Sequence, residues 1–361
     1  MATSARIDDL GQAAESFAHL AGGNRPQGHN PIYGRLHNDT VAAFEEAMMS
    51  VEGGDDAVAF GSGMAAITAL LLSARDRGEH VVATRPLYGG SDHLLNDGLT
   101  GLGVRWVDPS AVAQAVDEET ALVLAETPAN PTLDLVDIRA LVMAAGDVPV
   151  VIDNTFATPV LQNPLKLGAK AVIHSATKYI GGHGDVIGGV VVGDGEWMKA
   201  VRQIRIGTGG LLHPMAAYLL RRGLGSLPVR MEAAQSTAKT LAIRLVEHEA
   251  VETVHFPGFP TCDPNGLVGT QMRGPGAMVA IDVGDADRAS RVMESVQLLT
   301  PAVSLGSTDT LIQHPALLTH QLMDEEAKED AGVSPGLLRI SVGLEDVEDL
   351  WNDLDQALSA R

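Results

Sequence analysis

Short apolar runs rich in β-branched residues recur along the first half of the chain, at 57–60, 80–84, 104–107, 122–125, 148–152, 171–174 and 190–192. Between most of them lie stretches whose apolar positions fall three to four residues apart, at 64–75, 91–99, 111–116 and 138–145. The first pattern predicts buried strands and the second amphipathic helices. Seven strands alternating with helices predict an α/β domain with a mostly parallel sheet. A helical pattern at 39–49, with a cap at Asn38 or Asp39, precedes the strands. The thirty or so residues before it are polar and glycine-rich and read as a mostly irregular arm.

After Gly193 the rhythm changes. Long helical runs follow at 196–205, 215–224 and 230–248, then separated strand candidates at 277–283 and 338–342 and helices at 286–296 and 346–358. The chain therefore divides into an arm (1–38), a large domain (39–230) and a smaller C-terminal α+β domain (231–361).

Composition narrows the function. Of 361 residues, 45% are hydrophobic and 20% charged, enough apolar material for a large core. Asp and Glu outnumber Lys and Arg by 46 to 25, a formal net charge of −21. Such a surface repels nucleic-acid phosphates and anionic lipid. The single cysteine, Cys262, excludes an intrachain disulfide and suits a reducing, cytoplasmic setting. The start of the chain lacks a signal-peptide core, and the longest apolar stretch, 64–72, is too short to span a bilayer.

Four segments carry candidate chemistry. Phe60-Gly61-Ser62-Gly63-Met64-Ala65-Ala66 follows a strand and opens a helix, where free N–H groups attract phosphate. It reads equally as a tight turn. Asp153 ends a buried strand, the edge where open α/β sheets hold ligands; an Asp there also caps turns. In Ser175-Ala176-Thr177-Lys178-Tyr179 a lysine at a strand end follows two hydroxyls, which suits a Schiff-base lysine or an ordinary surface one. Arg339, within the apolar run Leu337-Leu338-Arg339-Ile340-Ser341, is costly to bury unless it meets an anion. His183 has no second ligand at metal spacing, so no metal site is expected.

Together, and in this order, these segments resemble the Cys/Met-metabolism family of pyridoxal-phosphate (PLP) enzymes, which includes cystathionine γ-synthases and γ-lyases, methionine γ-lyases and O-acylhomoserine sulfhydrylases. The resemblance extends from Asn30-Pro31-Ile32-Tyr33-Gly34-Arg35 through Leu87-Tyr88-Gly89-Gly90, Glu126-Thr127-Pro128-Ala129-Asn130-Pro131 and Val303-Ser304-Leu305-Gly306 to Gly343-Leu344-Glu345. It implies the PLP-dependent aminotransferase type I fold and a homotetramer built from two active dimers. It implies Lys178 as the Schiff-base lysine and proton carrier, Asp153 facing the pyridine nitrogen, and Tyr88 stacked on the ring as an acid for the leaving group. Ser62, Gly63 and Met64 match the phosphate cradle, with Ser175 and Thr177 adding hydroxyls. Tyr33 and Arg35 match a pair reaching the phosphate of the neighbouring subunit. Asn130, Ser304 and Arg339 resemble the groups that bind the substrate carboxylate.

Val303 and Thr319 bear on the substrate. Members that bind cystathionine tend to have an acidic residue at the Val303 position; an apolar one suits a short side chain. Gln313-His314-Pro315 and Thr319-His320 resemble methionine γ-lyases, whereas Tyr88-Gly89-Gly90 is commoner in the cystathionine enzymes. The expected activity is γ-elimination on methionine or a related sulfur amino acid, a carbon–sulfur lyase of trans-sulfuration type. Cystathionine γ-lyase activity or γ-replacement on O-acylhomoserine is the alternative. A more distant one is an NAD(P)-binding oxidoreductase, with Gly61, Gly63 and Ala66 as a dinucleotide turn and Arg85 reading a 2′-phosphate; it leaves Lys178, Asp153, Tyr88 and Arg339 without roles.

Overall fold

The structure, a computed structural model, describes residues 3–26, 31–321 and 323–360. Asn30, where the family resemblance begins, lies outside them.

Seven strands form the first sheet: β1 (Asp56–Phe60), β2 (His80–Thr84), β3 (Gly103–Val107), β4 (Thr120–Glu126), β5 (Val150–Asp153), β6 (Ala171–His174) and β7 (Gly189–Gly193). Their order is β1-β7-β6-β5-β4-β2-β3. β7 runs antiparallel to both neighbours, and the other six strands point one way. β1, β2, β4, β6 and β7 are buried along their whole length, so they read as continuous apolar runs rather than alternating ones. β5 starts at Val150 instead of residue 148, because Pro149 has no N–H to extend the ladder.

Helices cover both faces. They are α1 (Leu10–Ala21), α2 (Asp39–Glu52), α3 (Gly63–Ser73), α4 (Gly89–Asn96), α5 (Val112–Ala115), α6 (Ile138–Ala145), α7 (Thr158–Leu161), α8 (Gly195–Thr208), α9 (Pro214–Leu224), α10 (Leu227–Val246), α11 (Ala286–Ser295), α12 (Glu325–Asp330) and α13 (Val347–Leu358). Asn38 caps α2, accepting from the backbone N–H of Thr40 and Val41 at 3.1 and 3.3 Å.

The arm differs from its irregular reading. α1 is a three-turn helix capped by Asp9, which buries Ala13, Ser16 and Leu20. Small residues make that stripe weakly apolar, which hid it. Leu20 closes a small cluster with Leu36 and Ile206.

The second sheet holds β8 (Thr253–His255), β9 (Met278–Asp282), β10 (Thr300–Pro301), β11 (Leu311–Gln313) and β12 (Leu337–Ser341), ordered β10-β11-β12-β9-β8. β8, β10 and β11 have two or three residues each, too few to show a period. α10 bridges the cores: Leu227, Met231 and Ala234 pack in the large-sheet core, and Ala238, Leu241, Ala242 and Leu245 in that of the second sheet. The division expected at residue 230 falls inside this helix.

Candidate active site

A cavity of about 550 Å³ opens where the C-terminal ends of β4, β5 and β6 meet the start of α3 and loops of the second sheet. Ser62, Gly63, Met64, Tyr88, Asn130, Asp153, Ser175, Thr177, Lys178, Val303, Ser304, Thr319 and Arg339 all line it. Two expected residues do not. Tyr33 and Arg35 lie away from it; the Arg35 guanidinium sits 5.5 Å from the Tyr33 ring centroid and donates to the Ile206 carbonyl at 2.9 Å.

Each group is placed by its element. Ser62 is the N-cap of α3, its Oγ accepting from Ala65 N–H at 3.1 Å, so the first turn presents free N–H groups to the cavity. A Cβ on Gly63 would lie 3.0 Å from the Ser175 Cβ, so glycine lets this helix start approach the Ser175 segment without displacing it. Thr177 Oγ1 donates to the Gly188 carbonyl at 3.1 Å and accepts from Gly188 N–H at 3.0 Å. Offering its proton to a phosphate requires that hydroxyl to turn.

Asp153 ends β5. Its Oδ1 accepts both from Thr155 N–H at 3.0 Å and from Thr155 Oγ1 at 2.5 Å. Burial raises its carboxyl above the usual range, opposed by the Thr155 bonds and by nearby His174. Lys178 Nζ donates to Ser304 Oγ at 2.9 Å. Burial, with the Arg339 charge nearby, brings the Lys178 ammonium down to about 8.

Arg339 is buried on β12, opposite Gln313 of β11. It donates to Asn130 Oδ1 at 2.6 Å and to the Ser304 carbonyl at 2.8 Å. With its amide oxygen turned toward Arg339, Gln313 accepts from both terminal guanidinium nitrogens at 3.1 and 3.2 Å and from the Thr319 hydroxyl at 3.1 Å. Arg339 Nε is buried without a partner among the described residues, an N–H left for an anion. Burial lowers this guanidinium to about 10.

Sequence reasoning passed over Gln313 as a ligand of Arg339, and Glu126 altogether as a site residue. Glu126 ends β4 directly opposite Asp153 of β5, so the strand-end rule that singled out Asp153 applies to it equally. Arg85, considered for a 2′-phosphate, is instead paired with Asp92 at 2.8 Å and lies over the Trp106 ring. Its charge is neutralised within the protein. Among the described residues no group of three or more His, Cys, Asp or Glu is placed to hold a metal ion, and no helix is long and apolar enough to cross a membrane.

The donor set fits pyridoxal phosphate: a helix start kept close by glycine, hydroxyls beside it, a strand-end carboxylate and a lysine of lowered basicity. An α/β sheet edge carrying that combination defines a PLP enzyme. The sequence pattern described as "Cys/Met metabolism PLP-dependent enzyme" matches residues 11–359, and the chain belongs to that family. It is 52% identical to an L-methionine gamma-lyase of Brevibacterium sandarakinum, covering 100% of this chain and 91% of the relative. It is 55% identical to one of Streptomyces avermitilis, covering 97% and 81%. Among solved structures, a cystathionine gamma synthase of Xanthomonas oryzae pv. oryzae superposes with a TM-score of 0.91 at 36% identity, covering 99% of this chain and 91% of that one. A methionine gamma lyase of Micromonospora echinospora gives 0.84 at 39%, covering 91% and 89%. Family membership sets aside the nucleotide-dependent alternative.

Proposed function

We propose that this enzyme is a methionine γ-lyase, converting methionine and water to 2-oxobutanoate, ammonia and methanethiol. The observation that carries this reading is one cavity lined both by Arg339, whose buried Nε lacks a partner among the described residues, and by the exposed apolar side chains of Val303, Leu318 and Ile187. The first suits an amino-acid carboxylate. The others offer no charge to a distal ammonium and suit a short thioether. The names of the similar γ-lyases agree with it.

When bound, PLP supplies an electron sink conjugated to the substrate Cα, which makes protons at Cα and Cβ removable and lets the γ-sulfur leave. The chain does the rest. The first turn of α3 and the hydroxyls of Ser62, Ser175 and Thr177 hold the phosphate, with Gly63 and Met64 giving backbone N–H groups. Asp153 stays anionic toward the pyridine nitrogen. Lys178, neutral in a useful fraction near pH 8, anchors the cofactor and then carries protons between substrate carbons. Tyr88 covers the ring and protonates the departing sulfur. Arg339, aimed by Asn130 and Gln313 with Ser304 and Thr319 around it, orients the carboxylate.

Tyr33 and Arg35, away from their own cavity, serve the site of a second copy in this reading, within an active dimer and a homotetramer. A reducing, cytoplasmic setting is part of this reading, which the single cysteine suits.

The test is separate incubation with methionine, cystathionine, cysteine and O-acylhomoserine, and then with O-acylhomoserine and cysteine together, identifying keto acids, thiols and exchange products. Methionine should yield equal amounts of methanethiol and 2-oxobutanoate. Cystathionine formation from O-acylhomoserine and cysteine, with no thiol released from methionine, would overturn the reading in favour of γ-replacement.

A further inference from the structure

We propose that Glu126 is a positioning residue: its carboxyl clamps the backbone of Tyr88 and so sets the phenol that covers the cofactor pocket. The inference takes the cavity as the PLP site and is independent of which sulfur amino acid is cleaved.

Tyr88 sits at the N-cap of α4 with no side-chain capping bond. Its backbone N–H instead donates to Glu126 Oε2 at 2.7 Å, across 38 residues of sequence. Asn130 stands four residues beyond Glu126, on the loop after β4. Asn130 in turn accepts from Arg339 at 2.6 Å. One buried side chain at the end of β4 thus ties the loop after β2 to the sheet edge. Tyr88 itself is 40% exposed, so little packing fixes it from the cavity side. Without Glu126 the start of α4 loses its long-range anchor.

The charge state follows from the neighbours. Glu126 and Asp153 are register partners on adjacent parallel strands, and both line the cavity. Burial, then the Asp153 charge, push the Glu126 carboxyl well above the carboxylate range. Two carboxyls so close disfavour carrying two negative charges, and the contact to Tyr88 N–H asks of Glu126 only an acceptor oxygen, not a charge. A neutral amide of the same length should therefore replace Glu126, whereas a shorter acid should not.

The test compares Glu126→Gln with Glu126→Asp in the loaded enzyme. The second keeps the acid but withdraws it by roughly one C–C bond. Three readouts are taken: the visible circular dichroism of bound PLP, the dissociation constant of PLP from the apoenzyme, and kcat and KM separately. The inference expects Glu126→Gln to keep the wild-type dichroism and cofactor affinity and to stay within about threefold in kcat/KM. It expects Glu126→Asp to alter the dichroism band and to lose about tenfold in kcat/KM as Tyr88 loses its anchor. Wild-type behaviour in both variants would overturn it, and so would losses in both. Loss in Glu126→Gln with retention in Glu126→Asp would show that charge rather than reach matters, and would also overturn it. None of these outcomes depends on the identity of the best substrate, which the incubations above decide separately.

Discussion

The Lys178 ammonium donates to the hydroxyl of Ser304 at 2.9 Å, while Ser304 itself is held at φ 114° with its carbonyl accepting from Arg339. A positive φ is unfavourable for serine, so the surrounding contacts impose it. The serine thereby reaches the lysine with its side chain and the arginine with its backbone.

Capture of PLP by the apoenzyme needs the neutral Lys178 amine. With the ammonium brought down to about 8, raising the pH through that value deprotonates it. About a tenth is neutral at pH 7 and about nine-tenths at pH 9, so the capture rate should rise roughly tenfold between them. Ser304→Ala removes an acceptor that favours the charged form, so its midpoint should move to lower pH. Stopped-flow absorbance of PLP binding checks both. A rate independent of pH from 7 to 9 would remove Lys178 as the capturing amine.

Asp153→Asn keeps the shape and the Thr155 contacts but not the charge. Activity should fall at least a hundredfold in kcat, about 2.7 kcal/mol of barrier, with substrate affinity far less affected. Steady-state kinetics on the PLP-loaded variant decide this. A near-normal kcat would contradict the electron-sink role.

Val303 is 55% exposed and lines the cavity. Wild-type enzyme should prefer methionine to cystathionine, and Val303→Glu should narrow the gap by giving the distal ammonium of cystathionine a partner. Competing-substrate assays measure the ratio. A tenfold wild-type preference for cystathionine, about 1.4 kcal/mol, would refute the argument from pocket charge.

On the proposed shared site, Arg35→Ala and Lys178→Ala should each be nearly inactive, and Arg35→Ala should hold PLP about tenfold less tightly through loss of the proposed charge-assisted contact to the neighbouring subunit's phosphate. Mixed after reversible dissociation, the two should regain part of the activity, since a mixed dimer carries one site with both residues intact. Verified mixed dimers without recovery, when wild-type chains survive the same treatment, would show that the site is not shared.

Much of this protein is written locally. All seven strands of the large sheet follow from short apolar runs, which burial on both faces demands of all but the partly exposed edge strand β3, and α6 matches its predicted bounds (138–145). Lys178, Asp153 and the Ser62 turn were legible because each stands at a strand end or helix start, where backbone geometry points groups at a common edge. α1 and the two- and three-residue strands were not, since small side chains and short segments carry no clear period. Nor could sequence show that Glu126 reaches Tyr88, that Gln313 ligates Arg339, or that Ser304 joins Lys178 to Arg339. Those pairs are separated by 38, 26, 126 and 35 residues. The chain determined which groups stand at the sheet edge through local periodicity. Only tertiary packing, by burying them together away from water, decided which of them hold charge and which hold one another in place.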